Sequence, residues 1–148
     1  MSPIMTLHEF LQVFEDGISG FLNGDAARWK AIASHRDDVT IMGAWGAAEQ
    51  GWAEASPRYD WAAARFQPSG ARVRIQYLAI GEHGDFGYTV AIERSSVRVI
   101  GADDPAPMAL RVTHLFRKEN GAWRMIHRHA DPLMSRTAPA DTLQSEPQ

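Results

Sequence analysis

Residues 109–129 read ALRVTHLFRKENGAWRMIHRH, two runs of alternating character on either side of Asn120-Gly121. Alternation over this length marks half-buried strands, and Asn-Gly accepts the left-handed backbone of a two-residue hairpin turn. The turn sets the register, so it constrains the fold more tightly than any other feature. With Glu119 opposite Ala122, one face carries Lys118, Phe116, His114 and Val112 across from Trp123, Met125, His127 and His129. The other carries Arg117, Leu115, Thr113 and Arg111 across from Arg124, Ile126, Arg128 and Ala130. The aromatic, histidine-bearing face is expected toward the core, and the arginine-rich face toward solvent or a second subunit. A β-bulge in either strand would exchange the faces beyond it.

The preceding chain supplies what this hairpin packs against. Leu7, Phe10, Leu11, Phe14, Ile18, Phe21 and Leu22 form one apolar stripe at helical spacing, with Thr6 and Glu9 placed as a capping box. Asn23-Gly24 reads as its stop, and Asp25 as the cap of a shorter helix bearing Trp29 and Ile32. A short strand is expected at Val39–Met42. A third helix is expected over about residues 52–66, either kinked at Pro57 or restarted by Ser56-Pro57. Two long strands follow, 72–80 and 88–100, joined by a turn at His83-Gly84-Asp85. Helices first and strands later define an α+β chain, helices packed on one face of an antiparallel sheet. Residues 1–134 read as one domain and 135–148 as a disordered polar tail.

Composition removes several function classes. With 148 residues, a net charge of −3 and a pI near 6.0, the chain is not expected to have nucleic-acid phosphate as its main partner, although overall charge leaves room for a local basic patch. It has no cysteine, which removes disulfides, thiol nucleophiles and thiolate metal sites. No apolar run reaches membrane-spanning length. The opening MSPIMTLHEF has no basic stretch leading into an apolar one, so a cytoplasmic location is expected.

The segment RVTHLFRKENGAWRMIHRHAD resembles the closing hairpin of SnoaL-like proteins in the nuclear transport factor 2-like superfamily. It is also similar to the end of the association domain of calcium/calmodulin-dependent protein kinase II. FLNGDAARWKAIASHRDDVTIMG and GDFGYTVAIERS resemble earlier parts of the same fold, so the likeness spans roughly residues 7–131. It implies a cone-shaped, strongly curved sheet wrapped around the N-terminal helices (a cystatin-like arrangement). It also implies a pocket at the wide end and a homodimer formed through the outer face of the sheet. The superfamily holds isomerases, cyclases, dehydratases and non-catalytic modules, so fold alone does not name a reaction.

The candidate site follows from the face assignment. His129, toward the strand end, is the candidate acid/base, with His127 and Glu93 as its orienting partners, since an imidazole titrates near neutrality. The competing reading is a structural histidine pair. Glu93 lies beyond the small same-face residues Gly87, Thr89 and Ala91, and its competing reading is a salt bridge to Arg94, Arg111 or Arg128. Thr113 or His114 would donate hydrogen bonds to a ligand. Met42, Trp45, Tyr59 and Trp61 would line an apolar pocket, with Trp45 at the mouth. His114, His127 and His129 together could hold a metal, but no carboxylate stands at ligand spacing, and no cofactor or metal is expected. The acid of ketosteroid isomerase has no counterpart in VTHLFR. The expected ligand is a small apolar organic molecule, handled by an acid/base isomerase, dehydratase or cyclase. The alternative is a non-catalytic ligand-binding or oligomerisation module.

Overall fold

The computed structural model describes residues 5–143. Three helices, α1 (Leu7–Phe21), α2 (Ala27–Ile32) and α3 (Trp52–Ala63), are interleaved with short strands β1 (Thr40–Met42), β2 (Glu49–Gln50) and β3 (Phe66–Gln67). Four long strands follow: β4 (Arg74–His83), β5 (Phe86–Val99), β6 (Ala106–Glu119) and β7 (Ala122–Pro132). The strand order is β2-β1-β7-β6-β5-β3, with β4 sharing the β5 edge with β3. All pairings are antiparallel except β1 with β7, which is parallel. The expected α+β architecture is present: a curled sheet holding the N-terminal helices on its concave face.

The α1 stripe explains that packing. Leu7, Phe10, Leu11, Phe14 and Ile18 are all buried, each contributing on the order of 1.5–3 kcal/mol of burial. They meet the concave face at Phe116, Trp123 and Met125; Phe116 stands edge-on to Phe10 at 5.8 Å and to Phe14 at 5.6 Å. Thr6 caps the helix by accepting from the Glu9 N–H at 3.1 Å, and Glu82 of β4 accepts from the Leu7 N–H at 2.7 Å. The helix start thereby presses onto β5 at Gly87, where a Cβ would stand 2.6 Å from the Leu7 side chain. Asp25 accepts from the Ala27 N–H at 2.9 Å but stands just outside α2, whose N-cap is Ala26, one residue later than expected. Pro57 neither ends nor restarts α3, which is one continuous helix.

The Asn120-Gly121 turn forms as expected, with both residues at positive φ (53° and 81°). The register then departs from simple alternation. Phe116 pairs with Met125, but Leu115 pairs with His127, leaving Ile126 as an extra residue in β7. A second irregularity falls at Leu78 in β4. Bulges bend their strands and raise the local twist, which suits a sheet that curls around a helix. Residues 135–143 are exposed and carry a 3₁₀ turn at Pro139–Thr142; residues 144–148 of the expected tail lie outside the described residues.

Candidate functional site

Between α1, α3 and the concave face lies a cavity that opens to solvent at one end. Its wall is mainly apolar, supplied by Ile18 and Phe21 of α1, Ile41 of β1, and Met108 and Leu110 of β6. The polar groups are few: Glu93, Ser95 and Arg128 from the sheet, Glu49 from β2, and Arg58 and Tyr59 from α3.

Glu93 and Arg128 form a closed pair. Arg128 Nη1 donates to Glu93 Oε2 at 2.9 Å and Nη2 to Oε1 at 3.0 Å, with both side chains almost wholly buried. Such a bidentate geometry is the strong form of this interaction. Burial works against the Arg128 charge, but the facing Glu93 carboxylate outweighs it and the guanidinium pKa is raised. Nη1 also lies 3.0 Å from His114 Nε2. Arginine has no acceptor atom, so Nε2 presents its lone pair and the His114 proton sits on Nδ1. His114 is enclosed by Phe14 at 4.7 Å, Phe116 at 5.7 Å and Trp29 at 6.1 Å. Desolvation, with the Arg128 charge added, holds its pKa well below 6.5, so it is a neutral imidazole.

The opposite wall is built by α3 and β2. Tyr59 is 4% exposed, and its hydroxyl makes no hydrogen bond. Desolvation pushes its phenol pKa well up, so it remains an O–H donor. Glu49 faces Arg58 at 3.6 Å through Oε1, while its Oε2 is buried without a partner. At the mouth Trp45 stacks on Phe66 at 5.2 Å and meets Trp61 edge-on at 5.9 Å, with Arg58 over the Trp61 ring at 4.2 Å.

Measured against the sequence, Glu93, Trp45 and Tyr59 line the cavity. His127 and His129 do not. The extra residue at Ile126 turns them onto the convex face, where they pair with Leu115 and Thr113 instead of His114 and Val112. His127 Nδ1 bonds Thr40 Oγ1 at 2.7 Å, and His129 Nε2 lies 3.4 Å from Asp131. The expectation that His129 acts as acid/base on a pocket ligand, oriented by His127, is therefore corrected. Thr113 goes to the convex face with them. Met42 is 43% exposed beside the buried Ile41, and Trp61 contributes to the mouth only by packing on Trp45. His114 faces inward as expected but lies behind Arg128 rather than on the cavity surface. The three histidines thus stand on two faces of the sheet, and among the described residues no three metal-binding side chains converge.

Arg128 is the main residue misplaced by alternation. The signal that finds it was available: Glu93 sits in an apolar central strand, and a buried carboxylate needs a cation. Arg128, one of three named partners, meets that need only if β7 carries a bulge. Glu49 and Arg58 had no such signal, because a two-residue strand and the mid-helix face of α3 acquire a cavity only through tertiary packing.

A curled sheet closed over N-terminal helices, with an open cavity between them, defines the nuclear transport factor 2-like class of α+β proteins. Within that class the family model described as SnoaL-like domain matches residues 11–135, and the chain belongs to this family. A nuclear transport factor 2-like superfamily protein from Salmonella enterica serovar Typhimurium superposes with a TM-score of 0.71 at 15% identity, covering 90% of this chain and 98% of that one. The S. rosetta CaMKII hub gives 0.63 at 17% identity, over 89% of this chain and 100% of its own. A protein from Streptomyces avermitilis assigned as a dehydratase of the same class gives 0.63 at 15%, over 84% and 98%. At these identities the likeness is one of fold. Curated proteins yield no match. No described helix is long and apolar enough to cross a membrane.

Proposed function

We propose that this SnoaL-like domain binds a small, largely apolar organic molecule in the cavity between α1, α3 and the concave sheet. The observation that carries the reading is an apolar wall with a few convergent polar groups, the usual make-up of a small-molecule site. Glu93 is not a free base in this arrangement, because both its oxygens are engaged by Arg128. With His127 and His129 on the far face, the binding reading is favoured over acid/base catalysis by those residues. Native mass spectrometry of the purified chain tests it. A bound molecule of low mass is expected, absent from a Leu110→Trp variant whose indole fills the cavity. Failure of wild type to hold or take up any apolar molecule would sink the proposal.

A second observation supports self-association. The convex face exposes Phe86, Tyr88 and Leu115 on neighbouring strands β5 and β6, with Tyr88 directly opposite Leu115 and Phe86 opposite Arg117. An apolar sheet face of this kind suits a second copy of the chain. Sedimentation of a Tyr88→Glu, Leu115→Lys double variant is expected to shift the protein toward monomer, and an unchanged mass would remove the support.

A further inference from the structure

Among the described residues two buried side-chain polar atoms have no hydrogen-bond partner, Tyr59 Oη and Glu49 Oε2. Both residues line the same cavity. Buried polar atoms left unpaired are costly and rare, so two in one small site require an explanation. They are chemically matched, an O–H donor and a carboxylate acceptor, yet they do not bond to each other. Trp29 approaches the Tyr59 hydroxyl, but an indole N–H only donates and leaves the Tyr59 proton without an acceptor.

The cavity charges limit what stands between them. Arg128 is committed to Glu93 at 2.9 and 3.0 Å, and Arg58 faces Glu49 at 3.6 Å. Two cations and two anions cancel. An anionic ligand would have to compete with carboxylates already in place, and a cationic one with guanidinium groups. A neutral group is required that accepts one hydrogen bond and donates another.

We propose that the cavity recognises a neutral hydroxyl on an otherwise apolar molecule, the hydroxyl donating to Glu49 Oε2 and accepting from the Tyr59 O–H. The apolar remainder lies against Ile41, Met108 and Leu110. This inference rests on the cavity being a ligand site and adds the chemical class of the ligand and the two residues that read it.

Three shape-matched probes test it by calorimetric titration of the full chain: 2-phenylethanol, propylbenzene and 3-phenylpropanoate. The alcohol is expected to bind at least about tenfold more tightly than the hydrocarbon, the scale of a hydrogen bond to a charged group. The carboxylate is expected to bind most weakly. Tyr59→Phe and Glu49→Gln should each bring the alcohol close to the hydrocarbon while leaving propylbenzene affinity unchanged. The unliganded Tyr59→Phe protein should melt close to wild type, because the hydroxyl proton it loses had no acceptor in the protein. Equal binding of alcohol and hydrocarbon would overturn the hydroxyl inference and leave the cavity reading standing. Tightest binding of the carboxylate would overturn it in favour of a freed arginine. Binding of none of the three would overturn both readings. A marked loss of melting temperature in Tyr59→Phe would show a structural hydrogen bond and also overturn it.

Discussion

Arg128 and its chain neighbours His127 and His129 occupy the same strand and meet opposite fates. The Arg128 side chain is 11% exposed and holds Glu93 and His114, while the His129 side chain is 48% exposed and faces Asp131 and the His127 ring. The more costly ion is the one buried. Three neighbouring strands make this possible: β5 brings Glu93, β6 brings His114, and β7 brings Arg128, all on the concave face. A guanidinium can enter a core when a carboxylate takes two of its N–H groups and a neutral imidazole a further contact. The histidines need no such arrangement outside, where Thr40, Asp131 and solvent suffice.

The largest expected effect breaks the inner side of this comparison. Arg128→Met should leave Glu93 buried and unpaired, costing about 3–5 kcal/mol in urea unfolding. Adding Glu93→Leu should recover a substantial part of that loss, because a buried pair replaced by apolar groups is often close to neutral. A double variant as unstable as Arg128→Met would show that Glu93 is not the group left stranded.

Next comes the pH dependence. The folded-state pKa of His114 is depressed by desolvation and by the Arg128 charge, so below the ordinary value of 6.5 the unfolded chain takes up a proton that the folded chain refuses. Stability is therefore full above that value and falls as pH drops toward the folded pKa. His114→Gln should flatten this acid-side slope in unfolding measured from pH 7.5 downward. His127 is depressed too, by desolvation first and then by His129, and His127→Gln should flatten it less because the ring is only partly buried.

Arg117 sharpens the comparison from the closed end of the sheet. It donates to Asp38 at 2.8 Å and to Glu119 at 2.7 Å, with Ser34 also donating to Glu119 at 2.7 Å. Asp38 is more than half exposed and Glu119 keeps Ser34, so Arg117→Ala should cost only about 1–2 kcal/mol in the same unfolding assay. A loss equal to that of Arg128→Met would mean that burial is not what separates the two arginines. The smallest effect is expected from His129→Ala, within about 0.5 kcal/mol in thermal melts and without change in cavity binding. A loss of ligand affinity there would restore the histidine to the site.

Much of the fold was legible because it rests on local periodicity. The α1 stripe, the Asn120-Gly121 turn and the inward set Phe116, His114 and Val112 each follow from spacing and turn chemistry. So does the inward placement of Glu93, which shares its face with Gly87, Thr89 and Ala91. The site was legible only in part, because one inserted residue at Ile126 reverses the parity of everything beyond it in β7. Nothing within WRMIHRHAD distinguishes a regular strand from a bulged one; both satisfy the alternation up to Met125.

By itself, then, the sequence determined the helices, the succession of long strands along the chain and the hairpin register near its turn, because these depend on neighbours a few residues apart. The tertiary structure decided which face Arg128 takes and which groups close the cavity. Sheet curvature around α1 goes with the bulge, and a carboxylate on β5 makes a buried arginine tolerable. The same packing brings Glu49 from a two-residue strand and Tyr59 from a helix into one site. Their meeting depends on contacts far apart in the chain, which no local pattern encodes.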